Sequence, residues 1–277
     1  MDGKTIIITG ATAGIGLAAA EALAAMGARV VGISRDPDKC ARVAGELREK
    51  TGNGDIDFFC ADLSSLTEIR RVADDLLDQF PRIDVLINNA GALFVRRMLT
   101  VDGFERTFAL NHLSYFLLTR LLLDRLIASA PARVINVSSS SHYKGTMHFD
   151  NLQLERGYAA FRAYQQSKLA NVLFTYELDR RLQGTDVTVN AMHPGLVRTD
   201  IAKDNGLLFR LLQPWVLSRS RTPEQGAKTI VYLASAPEVE GVSGKFFIDE
   251  RPVVSAEASY NQADAARLWE LSEELIR

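Results

Sequence analysis

Seven short apolar runs, separated by longer stretches that are mostly helix-patterned, constrain this chain more than any other feature. The runs are KTIIIT (4–9), RVVGI (29–33), DIDFFC (55–60), DVLINN (84–89), RVINVS (133–138), VTVNAM (187–192) and GKFFI (244–248). They are nearly continuous rather than alternating in polarity, which marks strands covered on both faces, as in a parallel sheet. Helical periodicity fills the intervals over 16–27 and 65–80. Longer helices are expected over 103–128 and 158–182, and a closing one over 262–277. Parallel strands joined by helices need right-handed crossovers. The expected fold class is therefore α/β, a doubly wound parallel sheet of about seven strands with helices on both faces. No linker interrupts the rhythm between residues 4 and 248, so a single domain over 1–277 is expected.

Composition removes several classes of function. The 277 residues are 47% hydrophobic, enough for an ordinary core and too apolar for a disordered acidic chain. With 32 basic against 34 acidic residues and no basic stripe, nucleic acid is not an expected partner. Cys40 and Cys60 lack CxxC context and read as buried thiols rather than a disulfide framework or metal site. His142, His148 and His193 are isolated and are assigned to no metal. The N-terminus shows no signal peptide, and no run of about 18 apolar residues suggests a membrane span. The expected location is the cytoplasm.

The first strand runs directly into TGATAGIG (9–16), which opens a helix. Gly10 permits a tight turn, Gly14 lets main-chain amides approach a pyrophosphate, and Gly16 lets the helix pack close to the sheet. Unpaired N–H groups and the positive end of the helix dipole then face the phosphates. The second strand ends in GISRD (32–36). A site for NAD(H) would place a carboxylate there to accept from the ribose hydroxyls. Ser34 and Arg35 stand there instead. A carboxylate would repel a 2′-phosphate, whereas a guanidinium binds one in a fork, so NADP(H) is expected over NAD(H).

AYQQSK places Tyr164 and Lys168 at i and i+4, on one face of a helix. An ammonium at that spacing favours the phenolate and is expected to lower the tyrosine pKa toward working pH. Such a phenol can give a proton to a carbonyl oxygen or take one from an alcohol. The strand RVINVS leads into Ser138, Ser139, Ser140 and Ser141 at a strand's carboxyl end, where open α/β sheets bind ligands. From there Ser139 can donate to a substrate oxygen as charge develops on it. NNAG (88–91) and MHPG (192–195) close two further strands at the same edge.

Taken together, these motifs resemble the short-chain dehydrogenase/reductase family over nearly the whole chain. The resemblance implies a single-domain Rossmann-type sheet. It also implies a cofactor loop containing Gly10, Thr12, Ala13, Gly14, Ile15 and Gly16, an adenine contact at Asp62 and Leu63, and a sheet-stabilising element, NNAG, whose Asn89, Ala90 and Gly91 also bind the cofactor, as do Tyr164 and Lys168. Asn111, in ALNHLS, falls on the family's catalytic asparagine; Ser139, Tyr164 and Lys168 fall on the other catalytic positions. Pro194, Gly195, Val197 and Thr199 match the segment bordering the nicotinamide. RVINVSSSSH, AYQQSKLANVLFTYEL, VTVNAMHPGLVRT and LWELSEEL are similar to the retinol dehydrogenase-like branch, which commonly uses NADP(H). The 25 residues from Ser139 to Tyr164 match that branch's longer spacer and select Ser139 among the four serines.

The resemblance implies hydride transfer between the nicotinamide and a carbonyl carbon, with Lys168 holding the ribose and Asn111 positioning a relay water. It places a substrate flap at about 195–222, where Leu207, Leu208, Phe209, Leu211, Leu212, Trp215, Val216 and Leu217 suggest a hydrophobic ketone, aldehyde or alcohol. Many animal members of the branch carry an N-terminal membrane anchor. None is visible here, which points to a soluble enzyme with a lipophilic small-molecule substrate. A monomer or homodimer is expected. The alternatives are an inactive NADP(H)-binding regulator, an NAD-preferring alcohol dehydrogenase, and a nucleotide-sugar epimerase.

Overall fold

The structure, a computed structural model, describes residues 1–197 and 220–277. One eight-stranded sheet organises them, in the order β3-β2-β1-β4-β5-β6-β7-β8. The strands are β1 (Thr5–Thr9), β2 (Arg29–Ser34), β3 (Ile56–Cys60), β4 (Val85–Asn88), β5 (Ala132–Val137), β6 (Val187–His193), β7 (Lys245–Ile248) and β8 (Arg251–Val253). All neighbours pair in parallel except β7 and β8. The chain leaves β3 on one edge and re-enters beside β1 as β4. That reversal opens a crevice at the carboxyl ends of β1 and β4.

Unbroken apolar runs form these strands because both faces are covered. Every residue of β1 is buried. Ile7 joins a core with Val72 and Leu76 of α3 (Leu66–Gln79), Leu118 and Leu122 of α5 (Ser114–Ala128), and Phe174 of α6 (Ala160–Arg181). Its neighbours Ile6 and Ile8 point the other way. They pack with Leu23 of α1 (Gly14–Ala25), Val43 of α2 (Pro37–Thr51) and Ile230 of α7 (Pro223–Ser235). The closing helix α8 (Gln262–Leu275) lies against α6 and buries Leu268 and Trp269.

The expected doubly wound parallel sheet of about seven strands is present; its eighth member is the short edge strand β8, which carries Pro252, is exposed and lacks an apolar pattern. Two other sequence expectations are corrected. The helix expected over 103–128 begins only at α4 (Arg106–Phe108). Gly103 is at φ +83°, and the Glu105 carboxylate caps the helix by accepting from the N–H groups of Thr107 (2.9 Å) and Phe108 (2.8 Å). A π turn, Ala109–Leu113, then separates α4 from α5. Finally, Cys40 is buried but Cys60 is only half-buried; both are free thiols.

Candidate active site

The glycine loop is shaped by contacts that exclude side chains. Gly10 (φ +70°) and Gly14 (φ +55°) adopt left-handed conformations. At Gly16 a Cβ would stand 2.4 Å from the Gly10 carbonyl oxygen and 2.5 Å from Asn89 Nδ2. Side chains cap α2, α3 and α7 (Asp36, Ser65 and Thr222), but the α1 cap residue, Ala13, supplies no side-chain hydrogen bond. The first N–H groups of α1 therefore remain for an anion, and the loop fits a pyrophosphate. Thr12 Oγ1 lies 2.8 Å from Ser34 Oγ, linking the loop to the end of β2. Asp36 turns away from that end, its carboxylate accepting from the Lys39 N–H at 3.0 Å. Arg35 is exposed beside it. At the end of β3, Asp62 accepts from Ser64 N (2.9 Å) and Oγ (2.7 Å), and Leu63 is buried.

The segment after β4 knits the loop to the reacting end. Asn89 Nδ2 donates to the Thr9 carbonyl (2.7 Å), and the N–H groups of Asn89 and Ala90 both donate to Thr9 Oγ1. Asn88 holds the sheet together: its Nδ2 donates to Thr119 Oγ1 and to Asn136 Oδ1, both at 2.9 Å. Gly91 makes room for convergence. A Cβ there would lie 3.1 Å from Asn111 Oδ1, a tight fit, and 3.4 Å from Lys168 Nζ, an ordinary contact, so both side chains reach this point.

Asn111 sits in the π turn, a geometry often found at functional positions. Its Nδ2 donates to the Ala92 carbonyl (2.9 Å) and to Ser167 Oγ (3.0 Å), and its Oδ1 accepts from Ala92 N (2.8 Å). Lys168 is buried. Its Nζ donates to the Val137 carbonyl at 2.9 Å and lies 5.7 Å from the ring centres of both Tyr164 and Tyr115. The four serines part company here. Ser138 Oγ donates to the Lys168 carbonyl (2.8 Å), whereas the Ser139 hydroxyl lies against the Tyr164 phenol.

Sequence reasoning missed three supports. Thr9 holds the segment after β4, and Ser167 holds Asn111. His142 holds Ser139: its Nε2 accepts from Ala256 N (3.1 Å), so its Nδ1 donates to the Ser139 carbonyl at 2.6 Å. Ser167 stands inside AYQQSK, yet nothing in the spacing marks it. Pro194, Gly195 and Val197 follow β6 at the same sheet edge. Thr199, and Leu207 to Leu217 of the expected flap, lie outside the described residues.

Electrostatics reverse one expectation. Burial pushes the Tyr164 phenol up to about 12, and the Ser139 hydroxyl draws it only partway back. Burial also pushes the Lys168 ammonium down to about 7. Desolvation of both groups outweighs the attraction that the i, i+4 spacing suggested. A stability test follows. The unfolded chain keeps the lysine proton up to its ordinary pKa, whereas the folded chain releases it above about 7. The fold therefore gains stability from this group as pH rises above about 7. Without added cofactor, Lys168→Met is expected to melt above the wild type at pH 7, with the gap narrowing by about pH 9. A gap that stays constant across that range would contradict the depressed ammonium.

Comparison with known proteins agrees with this arrangement. The short chain dehydrogenase family matches residues 4–207. Human retinol dehydrogenase 14 is 43% identical over 295 residues, covering 100% of this chain and 87% of the relative. Human retinol dehydrogenase 12 is 45% identical, with 100% and 87% covered. Among solved structures, an uncharacterised Mycobacterium paratuberculosis protein superimposes with a TM-score of 0.80 at 35% identity, covering 99% of this chain and 94% of that one. The Pseudomonas aeruginosa RhlG/NADP complex gives 0.72 at 30% identity, covering 89% and 94%. The motifs, the sheet order and these similarities agree, and the chain belongs to the short-chain dehydrogenase/reductase family, as a retinol dehydrogenase-like oxidoreductase.

Proposed function

We propose that this protein is an NADP(H)-dependent oxidoreductase that interconverts a lipophilic ketone or aldehyde and its alcohol. The observation that carries the reading is the convergence of the Tyr164 phenol, the Ser139 hydroxyl and the Lys168 ammonium at the crevice edge that the glycine loop also faces. A reduced nicotinamide bound there supplies the hydride. Gly10, Gly14, Gly16 and the open N-terminus of α1 hold the pyrophosphate. Ser34 and Arg35 receive the 2′-phosphate, Asp62 and Leu63 border the adenine, and Pro194, Gly195, Val197 and Thr199 border the nicotinamide. The names of the relatives support both choices, retinol being a lipophilic alcohol and the RhlG complex containing NADP.

The protein's residues supply the proton and the orientation. A phenol whose pKa lies near 12 carries its proton at neutral pH, the form that protonates a developing alkoxide. Ser139 donates a hydrogen bond to the same substrate oxygen, and His142 fixes the Ser139 main chain. Lys168, with its proton loosened by burial, stabilises the phenolate left behind and passes a proton to it. Asn111 holds the Ala92 segment and Ser167 in place. Because its side chain is committed to them, its contribution to a proton relay falls to the main chain of the π turn.

Consumption of NADPH against NADH, with a panel of lipophilic ketones and aldehydes, tests the reading. Arg35→Ala is expected to raise the NADPH KM about 10-fold while leaving the NADH KM nearly unchanged, since only the 2′-phosphate loses its charge-assisted fork. Equal effects on both cofactors would remove Arg35 from that role.

A further inference from the structure

The turn after β6 is held by residues from distant parts of the chain. Gly195 is at φ +83°, and a Cβ there would stand 2.7 Å from Arg221 Cδ and Nε. Arg221 therefore lies directly on the Gly195 backbone. Its own N–H donates to the Leu196 carbonyl at 2.7 Å, and Arg221 and Val197 form an isolated parallel bridge. The guanidinium forks onto the Asp249 carboxylate, with Nη2 to Oδ2 at 3.0 Å and Nη1 paired to Oδ1.

Asp249 lies in the tight turn between β7 and β8. It follows β7 at φ +51°, and Glu250 follows at φ +62°. These two residues link Ile248 to Arg251, which pair across β7 and β8, and positive φ at both positions is what a two-residue hairpin turn takes. Here the Glu250 N–H donates to Thr229 Oγ1 of α7 at 3.2 Å, and the ion pair fixes Asp249. Arg221 also leads directly into the Thr222–Gln225 capping box that starts α7. Five residues after Arg221, Gly226 offers a bare backbone: a Cβ there would meet Val197 Cγ2 at 2.6 Å and Ile15 Cγ2 at 2.7 Å. The start of α7 thus grips the 195–197 turn with Arg221 and seats Val197 beside Ile15 of the glycine loop with Gly226.

The pair is poorly explained as a stability device. Both side chains are well exposed, at 37% and 56%, and ion pairs this wet add little to folding. We propose that Arg221, held by Asp249, is a positioning residue that fixes the 194–197 turn for the nicotinamide half of the cofactor. This inference rests on the cofactor reading above. Arg221 acts on the turn through Gly195 and Leu196, and Asp249 aims Arg221.

Calorimetric binding of NADPH and of 2′,5′-ADP, which is the adenine half alone, tests it in the wild type, Arg221→Ala, Arg221→Lys and Asp249→Asn. Arg221→Ala is expected to weaken NADPH about tenfold, because the turn must be ordered on binding, and to leave 2′,5′-ADP affinity unchanged. Its Tm without cofactor is expected to stay within about 3 °C of the wild type. Arg221→Lys recovers part of the loss, and Asp249→Asn reproduces part of it; should Arg221→Ala fail to fold, Asp249→Asn decides the matter. Unchanged NADPH affinity in these variants, or parallel loss of both ligands, would overturn the assignment. A wild type that binds neither ligand overturns the cofactor reading itself.

Discussion

Replacing Tyr164 with phenylalanine is expected to lower kcat by about 10³-fold while NADPH binding persists. The phenol is buried against Ser139 with the Lys168 ammonium near its ring, and among the described residues no other hydroxyl in the crevice combines that burial with a lysine one turn along the same helix. Phenylalanine keeps the ring, so packing and cofactor contacts survive. Only the proton disappears, together with one hydrogen bond to Ser139. Losing that bond costs about 1 kcal/mol of stability, far too little to explain inactivity by unfolding. Ser139→Ala is expected to cost about 10²-fold in kcat, because a donor to the developing alkoxide is lost while the acid stays. A Tyr164→Phe enzyme with near-normal turnover would remove the phenol from the chemistry. Pre-steady-state turnover with saturating NADPH is the measurement that shows it.

Gly16→Ala is the second large effect, and it acts through sterics rather than charge. The new Cβ would lie 2.4 Å from the Gly10 carbonyl oxygen and 2.5 Å from Asn89 Nδ2. Neither neighbour can yield cheaply. Gly10 is backbone at φ +70° whose N–H is bonded to the Ile33 carbonyl at 2.8 Å, and Asn89 Nδ2 is bonded to the Thr9 carbonyl at 2.7 Å. The start of α1 must therefore move away from β1. Overpacking of this kind costs about 1–3 kcal/mol of stability. It also spoils the amide cradle, so NADPH affinity is expected to fall about 100-fold, as when several phosphate hydrogen bonds are lost together. Calorimetric titration and a melting curve separate the two losses. Wild-type affinity in this variant would mean that the loop tolerates the shift and that the close packing of α1 is dispensable.

Physical causes decide which features were legible in the sequence. The parallel strands were readable because burial on both faces leaves an unbroken apolar run, as in Ile6, Ile7 and Ile8. Exposed Arg251, Pro252 and Val253 leave no such trace, so β8 was not. The glycine loop and the Tyr164–Lys168 pair were readable because their spacing is local. The π turn was not: one extra residue per turn at Asn111 is lost within a long apolar helix pattern. Nor could spacing give the direction of the Tyr164 shift, since burial in the folded chain, not the neighbour at i+4, raises it. The Arg221–Asp249 contact joins residues 28 positions apart in irregular chain, where no periodicity reports it.

The most direct test of hydride transfer at this phenol uses NADPH deuterated at the reactive face of nicotinamide C4, offered with a lipophilic ketone that the wild type turns over. The expected result is deuterium on the carbinol carbon of the product with the wild-type enzyme, and no labelled alcohol above background with Tyr164→Phe at the same NADPH occupancy. Product alcohol without deuterium on that carbon, or equal labelling by both proteins, would contradict the assignment.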